Sequence, residues 1–468
     1  MRAFQFTDRS FFDITLCFIS ILLVLFAPST YSYEYCMLLH CLFVATMAYN
    51  LYKNRKEGIL TFNLLFSVSL YCTSFIYPVF IYNTPERYSS MFSYGFDDNK
   101  ISYCTGLAYV AYCFLQLGLN NKGRKNAGKK DQKTLRWVVS QKGLNYLSTL
   151  FLIIFVYFIT NGGLSYFADQ FIASMSENDI FMGYIVQFIT PIAYSMLILA
   201  FMLPNRKCFS FYYAVFLVAI YTLSILSTGS RTIPLAIIIM TLFLYNDKVK
   251  KLGVPKLAVL GVAFVIIMVL AGALRGGGEL ISTSSVSQNA SEAISERQEN
   301  YFLFANELIM CNRNLYYLVG STETVGYTYG VTLTGSFLGI VPFLRSLVIS
   351  ATGIPQYVLN SAEYNTFLTS GINHTKGLGT HAVADIYICW GIIGVILIFY
   401  LYGYIITQLK KDPNRTLYMV AYYIILSNAI YACRATIFNL SQILWTVFVV
   451  FLVLKLSGKK RSSTLSAV

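Results

Sequence analysis

The chain has 468 residues, of which 56% are hydrophobic and only 12% are charged, and its mean hydropathy is +0.59. This composition excludes an ordinary soluble domain, whose surface carries about twice this share of charged side chains. The sequence therefore predicts an all-α polytopic membrane protein. Membrane topology also explains most of the formal net charge of +14, so that no nucleic-acid partner is needed.

Twelve apolar stretches are predicted to cross about 30 Å of hydrocarbon, although the eighth is short. They run 11–27, 33–52, 59–82, 101–119, 144–160, 181–203, 209–228, 232–245, 254–274, 386–407, 417–431 and 438–456. The chain thus divides into nine transmembrane helices in 1–274, a large loop in 275–385, and three helices with a basic tail in 386–468.

The distribution of basic residues predicts which side each loop occupies. Lysine and arginine accumulate in alternate loops, such as 53–56, 122–142 and 248–256, and in the tail at 459–461. Such loops are retained in the cytoplasm. We therefore expect both termini to be cytoplasmic and the loop at 275–385 to lie outside.

The large loop is far longer than an ordinary connection, which predicts an ordered functional element. Its residues 290–318 have the periodicity of an amphipathic helix. Residues 330–345 are apolar but are interrupted by Pro342 and by a charge. They are too short to span the bilayer, and an interfacial or re-entrant segment is expected.

Seven of the fifteen arginines, but only two of the twenty lysines, fall in segments assigned to the outer face. A guanidinium is permanently charged and forks onto paired oxygens, so this selection indicates a site for phosphate or carboxylate. Arg231, in the tight turn Gly229-Ser230-Arg231, is the first candidate; the alternative is an arginine that snorkels to the interface. The candidate pyrophosphate-binding residues are Arg231, Arg275, Arg434, Arg345 and Arg313.

Two of the three histidines lie near the end of the loop, at His374 and His381. If a helix begins near His381, the i, i+4 spacing places Asp385 on the same face. The pair then has the composition of a general base and its orienting carboxylate. The alternative is that His381 caps the helix and His374 lies in the loop. Neither the histidines nor the ten cysteines have the spacing of a metal site, and no cofactor is expected.

Three motifs together resemble the O-antigen polymerase (Wzy-type) family, which is related to the O-antigen ligases. They are the Gly-Ser-Arg turn at 228–232, the Gly- and Tyr-rich segment before Ile340-Val341-Pro342, and Gly379-Thr380-His381 with Asp385 before Gly391-x-x-Gly394. This chain has Asp385 where those polymerases often have glutamate. The spacing of the histidine is also close to that of the ligases.

The resemblance implies a GT-C-like glycosyltransferase in the bacterial inner membrane, with its active site on the periplasmic face. Its substrates would be oligosaccharide repeat units linked to undecaprenyl pyrophosphate, polymerised into O-antigen or a related surface polysaccharide by inverting, metal-independent transfer. His381, Asp385 or His374 would act in catalysis, and the arginines would stabilise the departing pyrophosphate. The resemblance leaves open whether a chain-length regulator binds the protein as a partner.

Three alternatives remain: a ligase that transfers the polymer onto lipid A-core, a flippase or exporter of the same lipid-linked glycans, and a scaffold without a ligand. A flippase should carry charges deep within its helices and does not need a large outer loop. The predicted helix interiors are nearly free of charge, which favours the enzyme.

Overall fold

The computed structural model describes residues 8–53, 58, 60–85, 95–121, 135–169, 177–253, 255–257, 259–261, 305–372, 377–411, 416–457 and 459–462. Within these ranges the chain is helical apart from turns and one short pair of strands, which confirms the predicted all-α class. The chain forms two compact units. The first is Met1–Gly128, Ala305–Lys411 and Ala429–Phe438, and the second is Lys129–Phe304, Asp412–Asn428 and Asn439–Val468.

The α-helices have these bounds: α1 Asp8–Leu25, α2 Tyr33–Lys53, α3 Phe62–Ser74, α4 Lys100–Asn120, α5 Gln141–Thr160, α6 Gly163–Asp169, α7 Glu177–Met202, α8 Phe209–Ser227, α9 Thr232–Lys248, α10 Asn306–Ile309, α11 Cys311–Val325, α12 Thr334–Leu338, α13 Leu344–Thr352, α14 Ser361–Ser370, α15 Ala382–Lys411, α16 Thr416–Ser427 and α17 Leu440–Ser457. A π-helical turn covers Tyr77–Ile81, and the strands are β1 Leu135–Val138 and β2 Lys459–Ser462.

The first unit is built around α4, which is buried along most of its length and packs closely against α15. The two helices touch through glycines. A Cβ added to Gly118 would collide with the carbonyl oxygen of Tyr400, and one added to Gly403 would collide with that of Leu115. Small residues allow two backbones in a membrane to approach this closely, and the contact fixes the register of α4 and α15.

Within the same unit, α15 is interrupted near its first third. Trp390 (φ −144°, ψ 17°) and Gly391 (φ 62°, ψ −158°) depart from helical geometry. The positive φ of Gly391 is one that glycine adopts without penalty. The break separates a short segment, 382–389, from the long apolar remainder of α15, and the short segment carries Asp385.

The second unit contains α5 to α9, α16 and α17, together with β1 and β2, which pair antiparallel. Its core is aromatic, and the ring of Phe151 meets the edge of the Tyr221 ring at 5.6 Å between centroids. The Tyr221 hydroxyl lies 2.8 Å from the hydroxyl of Thr190. Such a partner offsets the cost of burying the tyrosine hydroxyl in an apolar core.

In the part of the chain that the structure describes, eight helices are long and apolar enough to cross a membrane. They are Tyr33–Lys53, Phe62–Ile81, Lys100–Asn120, Gln141–Thr160, Phe181–Met202, Phe209–Ser227, Ala382–Lys410 and Leu440–Ser457. Phe11–Leu25 and Thr416–Ser427 are shorter apolar helices. These helices confirm a multi-pass membrane protein. The predicted ninth span, 254–274, lies almost wholly outside the described residues, and the number twelve stays a prediction.

The predicted outer loop is helical where it is described. The amphipathic helix expected over 290–318 is described only from residue 305, and there α10 and α11 replace a single helix, with α11 continuing to Val325. The segment expected to be too broken to span forms a 3-10 turn, Val331–Leu333, followed by the five-residue α12. Pro342 and the glycines of this segment account for its short pieces.

Candidate functional site

The candidate site surrounds the first turns of α15 in the first unit. The helix begins at Ala382, whose backbone N–H donates to the carbonyl oxygen of Cys433 at 3.0 Å. A helix start directly after His381 agrees with the sequence prediction. It places His381 at the N-cap position and Asp385 on the first turn.

His381 is fully buried, and both of its ring nitrogens are occupied. Nδ1 accepts the backbone N–H of Val383 at 3.2 Å, while Nε2 lies 3.1 Å from the Ser74 hydroxyl and 3.2 Å from the Thr73 hydroxyl. An accepting Nδ1 requires the tautomer with its proton on Nε2. Burial lowers the pKa of His381 to about 3, because a charged ring would lose its hydration. His381 is therefore a neutral helix cap.

Asp385 is 1% exposed. The Thr380 hydroxyl donates to its Oδ1, and the Ser361 hydroxyl interacts with the same carboxylate. Its Oδ2 is buried and has no hydrogen-bond partner among the residues that the structure describes. The ring nitrogens of His381 bond to other groups, so the side-chain pair expected from the i, i+4 spacing is replaced by a carboxylate held by hydroxyl groups. Such a carboxylate retains free capacity to accept a proton or a hydrogen bond.

Buried amide side chains hold the segment 377–380 in place. Asn314 Nδ2 donates to the carbonyl oxygen of Leu378 at 2.9 Å, and Asn365 Nδ2 donates to that of Gly379 at 2.8 Å. The backbone N–H of Leu378 donates to the Thr366 hydroxyl at 3.0 Å. These bonds come from α11 and α14, so two helices of the predicted loop position the residues that precede α15.

The candidate arginines have different surroundings. Arg313 is 5% exposed on α11, between the buried Asn312 and Asn314. Arg345 donates from one nitrogen to both carboxylate oxygens of Glu363, each at 3.0 Å, and this ion pair joins α13 to α14. The Arg434 guanidinium lies 5.7 Å from the centroid of the Tyr431 ring, within reach of a cation–π interaction.

The structure places His381, Asp385, Arg313, Arg345 and Arg434 in the first unit. Arg231 belongs to the second unit, where it is half-buried at the N-cap position of α9. Arg275 and His374 lie outside the described residues. Among the described residues no group of three or more His, Cys, Asp or Glu side chains is arranged to hold a metal ion.

Sequence reasoning missed the hydroxyl and amide groups that complete the site. Thr73 and Ser74 lie more than 300 positions before His381, and Ser361 lies on α14. One signal was available for the first pair, since two adjacent polar residues interrupt a predominantly apolar span. Their partner was not available from the sequence, because contact between distant segments depends on how the helices pack.

A comparison with known families identifies the family of the chain. The family model described as O-antigen polysaccharide polymerase Wzy matches residues 10–461, nearly the whole chain. The chain belongs to this family. No curated protein matches the chain, and no solved structure matches it.

Membership of the Wzy family supports polymerisation of O-antigen repeat units as the general activity. It also supports an enzyme that acts on lipid-linked units within a membrane, and the apolar helices agree with a multi-pass inner-membrane protein. The chain thus belongs to surface-polysaccharide biosynthesis.

Proposed function

We propose that this Wzy-family chain joins oligosaccharide repeat units carried on undecaprenyl pyrophosphate, by inverting and metal-independent glycosyl transfer on the periplasmic face. The proposal includes twelve crossings in a GT-C-like arrangement, with both termini in the cytoplasm. A growing glycan leaves its pyrophosphate carrier and is transferred to the terminal hydroxyl of an incoming unit. A chain-length regulator is a proposed partner.

The observation that carries the proposal is the carboxylate of Asp385, whose Oδ1 accepts the Thr380 hydroxyl and whose buried Oδ2 has no hydrogen-bond partner within the described part of the chain. A carboxylate that already holds the hydroxyls of Thr380 and Ser361 has the surroundings needed to bind a sugar hydroxyl. In the proposed step Asp385 accepts the proton of the acceptor hydroxyl. The hydroxyl oxygen then bonds to the anomeric carbon of the donor as the bond from that carbon to pyrophosphate breaks.

The charge that develops on the leaving pyrophosphate needs fixed cations. Arg231 and Arg434 are the proposed pyrophosphate contacts among the described residues. Arg275 is proposed as a further contact from the sequence alone. Arg313, buried on α11, is proposed to supply positive potential near the helix that carries Asp385. Arg345 is engaged by Glu363, so its proposed role is to hold α13 and α14 in place.

The histidines have different proposed roles. His381 positions the first turn of α15, because its ring caps the helix and bonds to α3. His374 stays a candidate catalytic residue from the sequence alone. Asp385 is therefore the residue on which a test of catalysis should be made.

The test replaces Asp385 with Asn, which has nearly the same shape and accepts the Thr380 hydroxyl but does not serve as a base. Loss of the general base is expected to lower polymer formation by about 10²–10⁴-fold. The surface polysaccharide of cells that carry only the variant is resolved as a gel ladder, with membrane levels of the protein checked by immunoblotting. A polymerase defect leaves a single repeat unit on the core.

Other ladder patterns contradict the proposal. Bare core with polymer retained on the carrier indicates a ligase, and repeat units trapped inside the cell indicate a flippase. A full ladder from a well-expressed Asp385→Asn variant removes Asp385 from catalysis. Thr369→Val is a matched control, since Thr369 lies on α14 and its hydroxyl donates to the carbonyl oxygen of Asn365 in the same helix; it should leave the ladder unchanged.

A further inference from the structure

The break in α15 is contacted by a separate loop, residues 326–332, which forms hydrogen bonds with the residues just before the break. The carbonyl oxygen of Ile388 accepts the backbone N–H of Thr328 at 2.8 Å. The hydroxyls of Thr328 and Thr332 lie 3.5 and 3.4 Å from the Sγ atom of Cys389. The loop therefore replaces helical hydrogen bonding on one side of the break and is fixed to the segment that carries Asp385.

Two glycines bring this loop and the break into direct contact. Gly330, at φ 90°, passes so close to the ring of Trp390 that an added Cβ would lie 2.8 Å from it. Gly391, at φ 62°, lies against the hydroxyl of Tyr327 at 3.2 Å from an added Cβ. Each segment thus presents a glycine to an aromatic ring of the other, and both rings are held by fixed backbone.

The loop also presents exposed rings. Tyr329 is 78% exposed and has φ 50°, a left-handed conformation that is unfavourable for tyrosine. Tyr327 is 43% and Trp390 is 42% exposed. A strained, exposed aromatic residue next to glycines indicates that the direction of the ring has a function.

The loop lies one turn from the proposed base. Cys389 follows Asp385 by four residues, so the two side chains share a face of the helix and are separated by about 6 Å along its axis. Since Thr328 and Thr332 bond to Cys389, the loop covers the face on which Asp385 lies. The backbone of the loop is therefore fixed about one helical turn from Asp385.

Lipid is a poor occupant for this surface. Non-helical backbone at membrane level is tolerated only where it is packed in protein or lines water, because lipid offers no hydrogen bonds. Tyrosine and tryptophan rings at a wet surface stack on flat, partly apolar ligands, while phenol hydroxyls and peptide groups bond to polar ones. A sugar ring has both properties.

We propose that Tyr327, Tyr329 and Trp390 form a platform that binds a sugar ring of the acceptor repeat unit beside Asp385. The proposal rests on the proposed function in taking the repeat unit as the substrate. The three rings are called the aromatic platform below.

The test uses Trp390 as its own reporter. The chain has three tryptophans, so the double variant Trp137→Phe, Trp445→Phe leaves Trp390 as the single tryptophan, which is excited at a wavelength that tyrosine does not absorb. The purified full-length protein is titrated with the repeat-unit oligosaccharide after mild acid has released it from its carrier. We expect a saturable change in fluorescence.

Tyr329→Asn removes one ring of the aromatic platform and keeps a residue that tolerates the left-handed backbone. It should weaken saccharide binding about 2- to 10-fold, the range of one aromatic contact, whereas Tyr329→Phe should bind nearly as the parent does. Tyr146→Ala is the matched control, because Tyr146 is 75% exposed on α5 in the second unit. It should leave binding unchanged.

Three outcomes overturn the platform: no fluorescence response to the saccharide, equal binding by Tyr329→Asn and its parent, or a response to phospholipid vesicles alone. These outcomes are distinct from failure of the proposed function. Asp385→Asn should still bind the saccharide while losing the ladder. If it binds the saccharide and also makes a full ladder, the platform stands and the assignment of catalysis fails.

Discussion

Replacement of His381 separates a helix cap from a catalytic base. His381→Ala removes the acceptor of the Val383 N–H and the partner of the Thr73 and Ser74 hydroxyls. Loss of an N-cap costs about 1 kcal/mol, and buried hydroxyls left without a partner cost about 1–3 kcal/mol. The variant should be about 2–4 kcal/mol less stable, with polymer lost because the first turn of α15 is disordered.

The variant His381→Asn should be compared with His381→Ala, because it tests capping separately from proton uptake. Asn360 already caps α14 in this chain by accepting the N–H of Ala362 at 2.9 Å, two residues ahead, as His381 does for Val383. Asparagine at 381 should therefore restore the cap, which is about 1 kcal/mol of the loss, without any group that takes up a proton. We expect a nearly normal ladder from His381→Asn and a defective one from His381→Ala.

The pH dependence of stability provides a second comparison, between the wild type and His381→Asn. The unfolded chain protonates His381 near 6.5, whereas burial lowers the folded pKa to about 3. The unfolded state binds the proton more tightly, so stability is full above about pH 6.5 and falls as the pH decreases. At pH 5 the wild type should have lost about 2 kcal/mol that His381→Asn does not lose.

Thermal unfolding in detergent at pH 7 and pH 5, followed by tryptophan fluorescence, measures this difference. The melting temperature of the wild type should exceed that of His381→Asn at pH 7, and the difference should shrink or reverse at pH 5. A folded His381→Asn protein with wild-type stability but no polymer would identify His381 as the base and refute the assignment of its ring as a cap.

The remaining predictions concern arginine chemistry and helix packing. Arg231→Lys should reduce the polymer ladder nearly as much as Arg231→Ala, because an ammonium does not reproduce the paired geometry of a guanidinium on phosphate; full activity in the lysine variant contradicts a phosphate contact. Arg345→Ala should lower stability by no more than about 1 kcal/mol, since the ion pair with Glu363 is partly exposed and screened. Loss of the polymer ladder with a nearly unchanged melting temperature would instead identify Arg345 as a substrate contact. Gly118→Ala should destabilise the protein by about 1–3 kcal/mol through collision with α15, while Gly320→Ala, where a Cβ meets only Lys100 at 3.6 Å, should be neutral; equal melting temperatures for the two variants would contradict the close helix contact.

The candidate site was predictable in part. The position of Asp385 near the start of a helix followed from the residue types and the apolar run after it. The pairing of His381 with Asp385 is not formed, because the ring of His381 bonds to Val383 and to hydroxyls of α3, whereas Asp385 accepts the hydroxyl of Thr380. The ion pair of Arg345 with Glu363 also went unforeseen, since the two residues belong to separate short helices of a segment with weak periodicity.

The sequence by itself determined the membrane class, the positions of the long apolar helices and the family, because hydropathy and short motifs are local properties of the chain. Only the tertiary structure decided which polar groups share the buried site. Thr73, Asn314 and Ser361 reach the start of α15 from three other helices, and the break at Trp390 depends on a loop some sixty residues earlier. Contacts over such distances are set by packing and by the need to satisfy buried polar groups, which no local pattern records.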